Sequence, residues 1–204
     1  RWAEHHHGII ARFGRFPHRN DVLGRLGVST VLLPGGEIVP ALERGLIDAA
    51  EWINCVEDQR LGLHNLRKFY YAPGMHEPVT GMQLVINKDV WNKLPPDIQE
   101  IMRVATVYVW IMRHTIQTYE AAIACEELET KYGVQITRTP DSVLLAFLEE
   151  WEKFQREKYM PDPFYRKVIE SQKKYAEVVV PHRLTFWPDY KLAGTYYWKG
   201  KLRR

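Results

Sequence analysis

The sequence predicts an α/β chain in two lobes, with one long helix bridging them. Three observations carry this reading. A strand, a turn, a helix and a second strand fit into residues 28–52, the economy of a βαβ crossover, which sets its strands parallel and covers the sheet with helix. No proline or glycine interrupts the chain between Pro96 and Gly133, and a helix of that length spans roughly 55 Å, about twice the diameter of a ~100-residue domain, so one lobe cannot cover it. Finally, 204 residues with 46% apolar and 26% charged side chains make a folded chain, not a disordered one.

The elements follow in chain order. Residues 1–25 are dense in arginine and histidine (His5, His6, His7, Arg12, Arg15, Arg19) and broken by Gly14 and Pro17, so they form an atypical N-terminal segment ahead of a region over 26–204. Residues 28–33 are apolar and β-branched, a buried-strand pattern that Pro34-Gly35-Gly36 stops. Residues 37–44 read as a short helix, with Glu37 in its first turn and Gly45 where a C′ glycine belongs. Residues 46–52 form the second strand. A third is expected at 82–86, between the Pro73-Gly74 turn and the long helix that Pro95-Pro96-Asp97 opens. Within that helix, residues 104–112 carry no charge and are expected to be buried all round, with the polar ends on the lobe surfaces.

Thr139-Pro140-Asp141 opens another helix, with Leu144, Phe147, Leu148, Trp151 and Phe154 on one face. A further helix runs from Pro163 to about Glu177 and ends at Val178-Val179-Val180-Pro181. The aromatic tail over 186–198 has no period and is expected to cover something apolar.

Several functions are excluded. The longest run without charge or turn residue spans 104–112, against about 18 residues for a membrane helix. The first residue is Arg1 and no leader pattern follows, so any export signal is expected to have been removed or never included. Lys and Arg number 28 against 25 Asp and Glu, a net +3, which implies no nucleic-acid partner. Cys55 and Cys125 either pair or stay thiols, and spacing does not choose. His76-Glu77 lacks the second histidine of H-E-x-x-H, with Thr80 in its place and Pro78 breaking the helix. Gly35-Gly36 suits a tight turn better than an anion cradle, because Glu37 repels an anion. No nucleophile elbow, Walker A sequence or C-x-x-C is present, so the chain reads as no enzyme.

Ligands of parallel α/β sheets sit beyond the carboxyl ends of the strands. On this reading Glu51 and Trp52 lie at a mouth, the acid directly after apolar strand residues and the indole as a flat wall. The alternative is a Glu51 paired with a surface arginine and a Trp52 in the core. The segment Tyr70-Tyr71-Ala72-Pro73-Gly74-Met75-His76-Glu77-Pro78 reads as a loop with a second carboxylate, Glu77, and two carboxylates with a carbonyl suit a hard cation such as Na⁺ or Ca²⁺.

Leu26-Gly27-Val28, Leu33-Pro34-Gly35-Gly36-Glu37-Ile38, Pro40-Ala41-Leu42-Glu43-Arg44-Gly45, Ile47-Asp48-Ala49-Ala50-Glu51-Trp52, Tyr70-Tyr71, Pro73-Gly74, Glu77, Asn87-Lys88 and Trp91 resemble the periplasmic solute-binding subunit of tripartite ATP-independent periplasmic (TRAP) transporters. The resemblance covers about residues 25–200. It implies a two-lobe fold of the periplasmic-binding-protein kind, here lacking much of the first lobe. It also implies capture of a small organic acid and delivery to membrane permease subunits, in the periplasm, with a homodimer as a possible assembly. By this likeness Glu51, the Trp52 backbone and Glu77 bind a Na⁺ or Ca²⁺ ion that bridges to the substrate carboxylate, and Trp52 walls the pocket. Arg15, with Arg12 as its competitor, is the arginine that pins the carboxylate, which bidentate guanidinium geometry favours. Residues 5–25 also resemble a stretch of a tetratricopeptide-like helical family. That likeness implies a second reading, a helical protein-interaction module in which Arg15 has no binding role.

Overall fold

Among the described residues helix dominates, and one pair of strands forms. The computed structural model describes residues 17–74 and 83–200. In order these are α1 (Pro17–Arg25), a 3₁₀ turn (Gly35–Glu37), α2 (Ile38–Glu43), α3 (Cys55–Leu61), α4 (Leu63–Leu66), β1 (Phe69–Ala72), α5 (Lys88–Lys93), α6 (Pro96–Thr130), β2 (Gln135–Arg138), α7 (Asp141–Lys158), α8 (Pro163–Phe186) and α9 (Tyr190–Trp198).

The long helix is real. Pro96 starts α6 with Asp97 in its first turn, and Gly133, at φ +66°, turns the chain out of it, as a left-handed glycine does at little steric cost. Gly45 does the same after α2 at φ +69°, with its own N–H and that of Leu46 donating to Leu42 and Ala41 carbonyls. Gly35-Gly36 lies in the 3₁₀ turn, the tight-turn role the sequence favours.

Among the described residues the expected βαβ sheet is absent: 28–33, 46–52 and 83–86 form no strand, and within them Thr30 makes only an isolated bridge. A strand is a pairing, and apolar pattern alone supplies no partner. For 46–52 a competing donor is visible. The Arg67 guanidinium donates to the carbonyls of Asp48 (2.6 Å), Ile47 (3.1 Å) and Leu42 (3.4 Å), taking acceptors that a ladder would need. Pairing instead joins β1 and β2 in parallel, Phe69 opposite Gln135 and Ala72 opposite Arg138. The sequence reading puts Tyr70-Tyr71-Ala72 in a loop; the structure makes them the last three residues of β1.

Three small cores result. Ile38, Ala41, Leu42 and Ile47 form one, with Trp52, Leu61 and Leu66 packed on it. Cys55, Ala124, Leu128 and Val134 form the second, where α3 meets the last turns of α6. Val22, Phe147 and Phe154 form the third. In this last, Arg25 of α1 donates to Glu150 (3.3 Å) and Glu157 (2.7 Å) of α7, so the end of the atypical N-terminal segment packs on the region that follows it.

Three further expectations fail. Residues 104–112 are exposed, Val107 to 59%, and the buried residues of α6 are Ala124 and Leu128. The helix projects past what packs on it, so its apolar middle has no cover among the described residues. Helix α8 does not stop before Pro181 but runs through it to Phe186. A proline inside a helix costs one hydrogen bond, and the chain ends the helix only at Trp187, before Pro188. The aromatic tail forms α9, capped by Asp189 accepting from the Leu192 N–H (2.8 Å), and neither α8 nor α9 buries a residue.

Cys55 and Cys125 form a disulfide, with Cα atoms 5.3 Å apart and a separation of 70 positions in sequence. A crosslink over such a loop removes about 4 kcal/mol of unfolded-state entropy in the chain-entropy model. Replacing both cysteines by serine is expected to lower stability by about 2–4 kcal/mol, read as a lower urea midpoint, with reduction of the wild type giving the same shift.

His64 of α4 is buried, its Nδ1 lacks a hydrogen-bond partner among the described residues, and its ring lies 4.3 Å from that of Tyr132. Burial, then the Lys68 charge, lowers its pKa from the ordinary 6.5. The unfolded ring therefore takes a proton first as pH falls, so this stability is full above 6.5 and is lost below it. Between about pH 7 and about pH 5 the urea midpoint of the wild type is expected to fall more than that of His64→Gln.

Candidate functional site

The segment between α2 and α3 is held from both ends. At its start, the Arg67 fork grips the carbonyls of residues 47 and 48 and also donates to Leu66 (2.9 Å). At its end, the Asn54 side chain caps α3, accepting from the N–H groups of Val56 (2.9 Å) and Glu57 (3.3 Å). Glu51 and Trp52 lie between these anchors and both are half-buried. The indole packs on the Ile38 core and lies against Gly35, where an added Cβ would come within 3.0 Å of Trp52 Cη2. Glycine at 35 is thus a matter of space for the indole. Both residues sit on the approach to a helix, and no strand end is involved.

Behind them stands a buried pair that the sequence reading missed. Asp58, 8% exposed, accepts from the Ile53 N–H (3.2 Å) and from the Tyr70 hydroxyl (2.8 Å). Burial is the main cause that raises the Asp58 pKa, opposed by those two hydrogen bonds and reinforced by the charges of Glu51 and Glu57. Burial also raises the Tyr70 pKa, followed by Asp58 and Glu51. Glu51 therefore lies near enough to act on both groups. The one available signal was Asn54-x-x-Glu57-Asp58, an N-cap followed by acids in the first turn. Nothing in the sequence announced the partner, Tyr70.

Of the predicted site residues, Glu51 and Trp52 are adjacent in this connection. Arg15, its competitor Arg12, and Glu77 lie outside the described residues, as does the His5-His6-His7 run. Among the described residues no three His, Cys, Asp or Glu side chains are grouped to hold a metal ion. A hard cation takes carboxylate and backbone carbonyl oxygens, and the Glu51 side chain and the Trp52 peptide carry one of each. A separate cavity of about 490 Å³ beside α2, lined by Val31, Leu33, Pro40 and Ile47 with Glu37 and Arg44, includes neither residue.

Residues 8–161 match the model of the bacterial extracellular solute-binding protein family 7, the DctP family. The chain belongs to this family. A monocarboxylate 2-oxoacid-binding periplasmic protein of a Nostoc species is 50% identical to it over 87 residues, 43% of this chain and 24% of that protein. A TRAP periplasmic solute-binding protein of Colwellia psychrerythraea, solved with bound calcium and pyruvate, is 29% identical with a TM-score of 0.76. It matches 86% of this chain and 54% of its own. One of Pseudoalteromonas atlantica, solved with sodium and pyruvate, is 29% identical with a TM-score of 0.76, matching 95% of this chain and 56% of its own. The chain thus spans about half the length of these solved relatives and about a quarter of the Nostoc protein. Their two-lobe periplasmic-binding fold is the fold the sequence predicts, although the strands expected at 28–33 and 46–52 do not form. The family is one of transport solute-binding proteins, and the Nostoc relative is periplasmic. No described helix is long and apolar enough to cross a membrane.

Substituting Arg67 by methionine is expected to destabilise the chain by about 1–3 kcal/mol, because four carbonyl acceptors, Leu42, Ile47, Asp48 and Leu66, lose a charged donor. Lysine at this position is expected to recover less than half of that loss, since a single ammonium cannot fork across Leu42, Ile47 and Asp48; urea unfolding of the two variants measures both.

Proposed function

We propose that this chain is part of the extracytoplasmic solute-binding subunit of a TRAP transporter. It captures a small monocarboxylate of the 2-oxoacid class and hands it to membrane permease subunits, without catalysing a reaction. The observation that carries this reading is the 50% identity to a 2-oxoacid-binding protein, joined to the family match over residues 8–161. Calcium and sodium beside pyruvate in the two solved relatives support a cation bridge. The Cys55–Cys125 disulfide supports a periplasmic location.

In this proposal the Glu51 carboxylate and the Trp52 carbonyl hold Na⁺ or Ca²⁺, with Glu77 as a further oxygen donor. The ion neutralises one end of the substrate carboxylate when bound. Arg15 pairs with that carboxylate from another direction, and the Trp52 indole forms an apolar wall. Lobe closure is a population shift, driven only by ligand contacts that the closed state makes better than the open one. The homodimer implied by family likeness stays part of the proposal. The family match reaches back to residue 8, which favours this reading over the tetratricopeptide-like one.

Pyruvate, the ligand bound in both solved relatives, is the probe for this reading. Calorimetric titration in calcium and in chelator tests the mechanism. Calcium is expected to tighten pyruvate binding, and Glu51→Gln to remove that effect. Equal affinity with and without calcium, with sodium also omitted, sinks the cation bridge.

A further inference from the structure

We propose that Asp58 and Tyr70 are positioning residues that aim the Trp52 carbonyl at the cation; this rests on the reading above, in which that carbonyl is a cation ligand. The peptide joining Trp52 to Ile53 is trans, the cis peptide bond among the described residues being Ala72-Pro73. In a trans peptide the C=O of one residue and the N–H of the next point in opposite directions across a rigid plane. Asp58 Oδ1 accepts the Ile53 N–H at 3.2 Å. The Trp52 oxygen is therefore directed away from Asp58, and the plane cannot rotate without breaking this bond.

The anchor is itself fixed. Asp58 is 8% exposed and its second oxygen accepts the Tyr70 hydroxyl at 2.8 Å. Tyr70 stands in β1, in register with Ile136 of β2, and Asp58 stands in α3, crosslinked to α6 through Cys55 and Cys125. Neither support lies on the segment that carries Glu51 and Trp52. The carbonyl direction is thus set by a framework built from other parts of the chain. Ligand-orienting groups of this sort typically change metal affinity by 10–100-fold when removed. An acceptor on the amide side also polarises the peptide and makes its carbonyl oxygen a better ligand.

Isotope-labelled full chain provides the test, with the Ile53 amide exchange rate read without cation and the Trp52 carbonyl carbon shift followed during a CaCl₂ titration. In the wild type a protected Ile53 amide and a calcium-dependent Trp52 shift are expected. Tyr70→Phe, which removes one oxygen and leaves the packing, should weaken calcium about threefold to tenfold and speed Ile53 exchange. Asp58→Leu should cost 10–100-fold. Asp58→Asn keeps an acceptor for Ile53 and should stay within about threefold of the wild type. Calcium affinity unchanged in Tyr70→Phe and Asp58→Leu overturns the proposal. Asparagine losing as much as leucine also overturns it, because the carboxylate would then act through its charge. A wild type with a protected Ile53 amide but no calcium-dependent Trp52 shift shows instead that the cation reading itself is wrong, and the aiming role falls with it.

Discussion

The seat of α3 on the last turns of α6, locked by the Cys55–Cys125 disulfide, is the constraint on which the remaining geometry hangs. Helix α3 carries Asp58 and is approached by the segment bearing Glu51 and Trp52. Helix α6 turns through Gly133 into β2, and β2 pairs with β1, which carries Tyr70. The Tyr70–Asp58 hydrogen bond closes the circuit. A covalent crosslink, a strand ladder and a buried polar bond thus fix one another, and each is worth more for the presence of the others because little entropy remains to be lost when the last one forms.

The chemistry of this corner is that of oxygen donors under strong local control. A carboxylate on a free loop is a poor cation ligand, because ordering it costs entropy at the moment of binding. As the proposed ligand, Glu51 is spared much of that cost, since the Arg67 fork and the Asn54 cap hold the chain on either side of it. Solute-binding proteins work by comparing an open and a closed state, so the half of a site that is rigid defines what the moving half must meet. The exposed apolar middle of α6 and the uncovered faces of α8 and α9 stand beside the finding that the chain spans about half the length of its solved relatives.

Legibility in the sequence divides along physical lines. Pro96 and Gly133 mark the ends of α6, Gly45 that of α2, and Pro140-Asp141 the start of α7, because each signal acts within one turn of chain. Glu51 and Trp52 were readable as a candidate pair through their motif, although the strand that was to present them does not exist. The burial of residues 104–112 was misjudged, because an apolar helix surface is buried only if something lies against it. The end of α8 was misjudged too, since one lost hydrogen bond at Pro181 is outweighed by a helix already propagating on both sides.

By itself, then, the sequence determined where α6 and α7 start and where α2 and α6 stop, that it holds no apolar run long enough for a membrane helix, and which family's motif the chain carries. These depend on neighbours a few residues away, or on composition. Tertiary structure alone decided that Cys55 meets Cys125, that β1 finds β2 in place of the expected sheet, and that Tyr70 donates to Asp58. Each joins residues far apart in sequence or in separate elements, and such encounters are settled by how helices dock and by which buried polar groups must find partners, quantities that no local pattern encodes.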